Sequence, residues 1–122
     1  MKLSQYPAAI AQAAQAVNEL DSQLAAVQLQ INRLENNADK ISAFEPHLKN
    51  DNQRKARRFE VLQVSLEYQQ SINTMMRLTA EKANALTHLE YLRNQFSVAK
   101  LEVRSAIARQ FSGTDALELI GA

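Results

Sequence analysis

The chain has no cysteine, no tryptophan, two glycines and two prolines in 122 residues. Without cysteine there is no disulfide framework and no thiolate chemistry. A reducing compartment fits, and the cytoplasm is the expected location. Two glycines cannot build a phosphate-cradling loop of the Walker or dinucleotide type. A net charge of +1 argues against a protein that works by bulk electrostatics. No stretch approaches the ~18–20 uninterrupted apolar residues of a membrane span, so no membrane partner is expected. The start, Met1-Lys2-Leu3-Ser4, leads into an Ala/Gln-rich amphipathic run rather than the apolar core of a signal peptide. The length suits one domain, and the composition suits an all-α chain.

Structure breakers mark only three places: Pro7, the Glu45-Pro46 neighbourhood, and Gly113 with Gly121. Pro7 lies in the first turn of a helix capped near Ser4, where its missing N–H costs nothing. Pro46 disfavours the helical region for Glu45, so the first helix should stop near Phe44. Asn50 and Gln53 then stand at capping-box spacing for a second helix. Nothing interrupts the chain from there to Ser112, and Gly113 is the expected C-cap. The expected organisation is a single domain over residues 1–112, with a helix over 4–44, a turn over 45–50 and a helix over 51–112. A tail covers 113–122.

Apolar residues of the first segment fall at Leu3, Tyr6, Ile10, Ala13, Val17, Leu20, Leu24, Val27, Ile31, Leu34, Ala38 and Ile41. The spacing alternates three and four without a slip, which is a coiled-coil heptad. The second segment continues it through Val61, Val64, Tyr68, Ser71, Met75, Leu78, Lys82, Ala85, Leu89, Leu92, Phe96, Ala99, Val103 and Ala106, with Ile72, Leu86 and Ile107 flanking. Folded about the turn, the two seams match when paired residue numbers sum to 95. Leu34 then meets Val61, Ile31 meets Val64, Leu20 meets Met75, and Lys82 runs past the small Ala13 to solvent. This predicts a long antiparallel coiled-coil helical hairpin. A break near Ser71–Thr74, giving a three-helix bundle, is the alternative, because those residues are weak helix formers.

In that register the first helix ends opposite Leu92, leaving Phe96, Ala99, Val103, Ala106 and Ile107 without an intramolecular partner. A second apolar row, Phe59, Leu62, Leu66 and Met76, lies on a face the hairpin does not cover. Exposed apolar stripes of this length mark interfaces. The expected closure is a homo-oligomer in which two overhangs cross and form a four-helix arrangement. The tail segment Thr114-Asp115-Ala116-Leu117-Glu118-Leu119-Ile120 is expected either to fold back as a short docking helix or to be read by a protein partner.

Lys49, Arg54, Lys55, Arg57 and Arg58 put five basic groups against Asp51 in residues 49–58, while residues 1–48 sum to −2. One reading is a phosphate-binding patch at the turn. The other is internal compensation: cations in a helix's first turns oppose its macrodipole, and Glu35 and Asp39 lie close enough to answer Arg54 and Arg57. Lys49, Lys55 and Arg58 are left unexplained by that second reading. Phe59 is the patch's single aromatic neighbour, which gives little support to base stacking. His47 and His88 are isolated, and no Glu-x-x-His or His-x-x-x-His pair occurs, so no metal or cofactor is expected. Glu60, Glu67, Glu81, Glu90 and Glu102 interleave with basic residues as a solvated face does. A hydrolytic triad would need a serine on a tight turn, and no catalytic residue is assigned. Met75 and Met76 read as adaptable packing.

The run Asn50-Asp51-Asn52-Gln53-Arg54-Lys55-Ala56 resembles the Asn-[Asp/Glu]-x-x-Arg-Lys-Ala element of small helical-hairpin proteins of bacteriophages and related mobile elements. There, too, the element opens a long Ala/Glu/Leu-rich second helix, and the resemblance covers roughly the second half of this chain. Those proteins often sit among DNA replication and recombination genes, with their own activity unassigned. The first segment, rich in Gln and Ala, departs from the pattern. Together these features predict a non-enzymatic, oligomerising coiled-coil adaptor or scaffold. The alternative is an accessory nucleic-acid-binding protein of phage or mobile-element DNA metabolism that uses the basic cluster.

Overall fold

A computed structural model describes the backbone of residues 1–121 and the side chains of residues 1–112. Among the described residues the chain is all-α. A 3-10 turn over Leu3–Gln5 leads into α1 (Tyr6–Phe44), followed by α2 (Asp51–Val64) and α3 (Leu66–Gly121). Two features start α1. The Lys2 N–H donates to Gln5 Oε1 at 2.8 Å, and Pro7 falls in the first turn, where no helical N–H is needed. Glutamine 5, rather than Ser4, supplies the side chain that caps this end.

The helix stops at Phe44, ahead of Pro46, as the proline rule requires. Across the turn, the Gln53 N–H donates to Asn50 Oδ1 at 2.9 Å and fixes the start of α2. The return half of the box lands one residue earlier than expected, with Lys49 N–H donating to Gln53 Oε1 at 2.7 Å.

The long second helix expected over 51–112 is interrupted at Ser65, six residues before the weak helix formers of Ser71–Thr74. Ser65 is extended (φ −78°, ψ 110°) and serves both helices. Its N–H donates to the Leu62 carbonyl, closing α2. Its Oγ accepts from the Tyr68 N–H at 3.2 Å, and its carbonyl from the Gln69 N–H at 3.1 Å, opening α3. Glu67 in the first turn of α3 suits the positive end of the dipole. At the other end, α3 continues through Gly113 to Gly121, so Gly113 is not the C-cap expected of it. The docking roles suggested for the tail concern side chains outside the described residues.

The chain divides into two units. In the first (17–84), α1 packs against α2 and the start of α3, running in opposite directions: Asp39 meets Arg58, Gln30 meets Glu67, and Asp21 meets Lys82. Its core lies on the predicted α1 seam, with Val17, Ile31 and Ala38 buried and Leu20, Leu24, Val27 and Leu34 half-buried. On the facing side Leu78 is 2 % exposed. Leu62, not Val64, turns inward before the break; Val64 is 84 % exposed. The expected Ile31–Val64 pair is therefore corrected. Glu35 meets Tyr68, and Asp21 meets Lys82, each eight residues beyond the expected register, whereas Asp39 meets Arg58 two beyond it. A continuous helix would have carried the turn's register along the chain. The interruption at Ser65 changes the face, while Gln30 and Glu67, just past it, still meet two residues beyond the expected register. Lys82, expected to run past Ala13 to solvent, instead ion-pairs with Asp21 at 2.6 Å.

The second unit holds residues 1–16 and 85–122. Tyr6, Ala13, Leu89 and Leu92 are buried there. Tyr6 stacks on Phe96, with ring centroids 5.4 Å apart and planes 18° from parallel. Phe96 is seven residues beyond Leu89, the partner the expected register gives Tyr6, so α1 covers one heptad more of α3 than its sequence spacing implied.

Candidate functional site

Three places in the structure concentrate candidate residues, each within one unit. The first is the turn. Small side chains at Ala38 and Ser42, both buried, bring α1 and α2 close, and the Ser42 hydroxyl donates to the Ala38 carbonyl at 2.9 Å. Over this contact three arginines are taken up by carboxylates. Arg54 Nη1 lies 3.1 Å from Asp51. Arg57 Nε donates to Glu45 Oε1 at 2.8 Å, and its Nη1 lies 3.5 Å from Glu60. Arg58 bridges to α1, 2.6 Å from Asp39 and 3.5 Å from Glu35.

Internal compensation thus reaches Arg58, which sequence reasoning had left unexplained, and the partners of Arg54 and Arg57 are Asp51, Glu45 and Glu60 rather than Glu35 and Asp39. Among the described residues Lys49 and Lys55 take part in no ion pair. The carboxylate of Glu45, hydrogen-bonded to Arg57, raises the guanidinium pKa above its ordinary value. Tyr68 donates its phenol to Glu35 at 3.3 Å. Burial first, and then the Glu35 charge, pushes that phenol above the ordinary range, with Arg58 acting the other way.

The second place is the outer side of the Ser65 break. The row expected there is split: Phe59, Leu66 and Met76 are exposed, while Leu62 is buried in the seam. Arg58, Phe59, Leu62, Gln63, Tyr68 and Gln69 line a shallow groove of about 340 Å³. Exposed Val64 and Leu66 flank the break. Ser65 itself was missed by sequence reasoning. Its signal was a serine one turn before a tyrosine amide, with Glu67 between them, hidden in an uninterrupted heptad.

The third is the far part of α3. Of the five residues expected at the oligomer interface, Phe96 and Ala99 are half-buried, and Val103, Ala106 and Ile107 are exposed. Phe96 is therefore not without an intramolecular partner, because Tyr6 covers one face of its ring. Lys100 extends Nζ to 4.5 Å from the Phe96 ring centroid. Every residue from Leu101 to Ser112 is exposed, including Leu101, Val103, Ile107 and, at 67 %, Phe111.

Among the described residues no group of three or more His, Asp or Glu is arranged to hold a metal ion. His47 lies 3.4 Å from Glu45 at the turn, and His88 lines a groove with Ala9, Ala13 and Leu92. No described helix is long and apolar enough to cross a membrane. Comparison with protein-family models, curated proteins and solved structures found no match.

Proposed function

We propose that this chain is a non-enzymatic scaffold or adaptor: an antiparallel coiled-coil hairpin that self-associates and mediates protein–protein contacts through apolar helix surface. The observation that carries this reading is the end of α3, where large apolar side chains at positions 101, 103, 107 and 111 are exposed and, among the described residues, no element covers them. Burying a Val, Ile, Leu or Phe side chain is worth about 1.5–3 kcal/mol, so covering a few of them is a substantial driving force for association. Isolated helical segments of this length are also marginal in water, and a partner helix would stabilise the segment itself.

The alternative, nucleic-acid binding at the turn, has less behind it. Phosphate contacts there would have to compete with Asp51, Glu45, Glu60, Asp39 and Glu35 for the three arginines, leaving Lys49 and Lys55 as ready cations. Light scattering on the intact chain tests the reading. The expected mass exceeds that of a monomer, and Val103→Asp with Ile107→Asp lowers it with helicity retained. A wild-type monomer at micromolar concentration overturns the proposal. DNA affinity that falls steeply with salt and disappears in Lys49→Glu with Lys55→Glu would favour the alternative.

A further inference from the structure

The packing of α1 on α3 within the second unit has a defined end. Phe96 carries the Tyr6 ring on one side, and Lys100, one turn on, folds its ammonium back over Phe96. After Lys100 the heptad continues in sequence through Val103, Ala106 and Gln110, with Ile107 beside it, but every side chain is exposed. A seam that continues after its covering helix has ended needs a second helix with matching spacing.

We propose that this segment pairs antiparallel with the same segment of a second copy of the chain, in a register set by Glu102 of each copy facing Arg109 of the other. The proposal rests on the scaffold reading and names its partner. Glu102 and Arg109 are seven residues apart, so they occupy the same flank of the seam, with opposite charge. In an antiparallel two-helix contact, like flanks face each other. With Val103 of one copy opposite Ala106 of the other, Glu102 falls opposite Arg109, and the twofold axis makes the pair twice. A parallel contact brings unlike flanks together and sets Glu102 against Ile107, with no charge gained.

Both groups are available. Among the described residues neither Glu102 nor Arg109 takes part in an ion pair, and both are exposed. Lys100, the charge on the opposite flank, is already engaged with Phe96 of its own chain. The contact is short, from Ala99 to Gln110, so association is weak and concentration-dependent, and two charge pairs weigh heavily in it.

Charge reversal tests the register on the full chain by sedimentation equilibrium across a concentration series. Glu102→Arg alone and Arg109→Glu alone each set like charges together twice, and each should raise the dissociation constant roughly tenfold. The double variant Glu102→Arg with Arg109→Glu restores both pairs in reverse and should return to the wild-type constant. Mixing the two single variants should also restore association, because each then meets an opposite charge at both places. That rescue by mixing excludes misfolding as the cause of the losses. A wild-type chain that associates while both reversals leave its constant unchanged overturns the register and leaves the scaffold reading standing. A wild-type chain that stays monomeric throughout overturns both.

Discussion

Leu62 and Val64 sit two residues apart, and the structure assigns them opposite roles. Leu62 is 7 % exposed on the face packed toward α1, whereas Val64, the last residue of α2, is 84 % exposed. Truncating each to alanine converts this difference into free energy. Leu62→Ala removes buried methyl groups and leaves a space that the flanking helices close only in part, at a cost of about 2–5 kcal/mol. The lower half of that range is expected, because Leu62 lies one turn from a helix end. Val64→Ala removes atoms already in water and should stay within about 0.5 kcal/mol of wild type. Alanine's better helix propensity offsets part of any loss, by a few tenths of a kcal/mol. Had the heptad run straight through Val64, its truncation would cost about 1.5–3 kcal/mol. Thermal unfolding followed by circular dichroism, at one fixed protein concentration, separates these outcomes. One kcal/mol is roughly 3–6 °C in a chain of this size, so Leu62→Ala should melt about 6–20 °C early. A Val64→Ala melting point that falls further than that of Leu62→Ala would refute the phase change at Ser65.

The stack of Tyr6 on Phe96 is worth about 0.5–1.5 kcal/mol beyond burial, so Tyr6→Leu should lose roughly that much; a loss below 0.3 kcal/mol in chemical denaturation would count against the shifted register. Arg58→Gln leaves Asp39 and Glu35 without their cation. Because these groups are partly exposed, the cost should be about 1 kcal/mol or less and should shrink at 1 M salt, and a salt-independent loss would contradict an ion-pair origin. Tyr68 has its phenol pKa raised in the folded chain. The stability it contributes is therefore complete below the ordinary phenol value of about 10 and is lost as pH rises through the raised one. Urea midpoints should fall with alkaline pH less steeply in Tyr68→Phe than in wild type, and parallel pH profiles would show that Tyr68 is not linked to folding.

Much of the fold was legible because a heptad reports burial directly. The α1 seam is buried or half-buried from Tyr6 to Ile41, and the α3 seam from Tyr68 to Ala99. The turn was legible through Pro46 and through Asn50, whose side chain accepts from the Gln53 N–H as an N-cap does. What was not legible depends on competition between nearly equal local choices. At Ser65 one side-chain oxygen and one carbonyl replace the helical bonds lost at the break, and the apolar pattern gives no sign of it because Val61, Val64 and Tyr68 fit a continuous helix as well as Val61, Ser65 and Tyr68 fit a broken one. At the turn, sequence showed that acids lay near the arginines but not which acid each would choose. Arg57 went to Glu45 in the turn and Arg58 crossed to α1, because neighbouring positions on a helix point about 100° apart.

The charges at the turn also bear on where a partner would bind. Arg54 stands in the first turn of α2, at the positive end of its dipole, with Arg57 and Arg58 at the middle of that helix, while Asp39 and Glu35 lie five and nine residues before the end of α1. The cation at Arg54 is unfavourable for its own helix. Bringing α2 beside the end of α1 pairs the charges, since Arg58 then answers Asp39 and Glu35 together, and Glu45, just beyond α1, answers Arg57. A phosphate approaching the arginines would restore the compensation of α2 but leave the acids of α1 unanswered, so it gains little over the arrangement already present. Among the described residues, the apolar end of α3 has no such internal answer. Its exposed Leu101, Val103, Ile107 and Phe111 lose nothing when a second helix covers them. A second helix would therefore gain more by covering these side chains than a phosphate would gain at the turn, where each arginine already has a carboxylate.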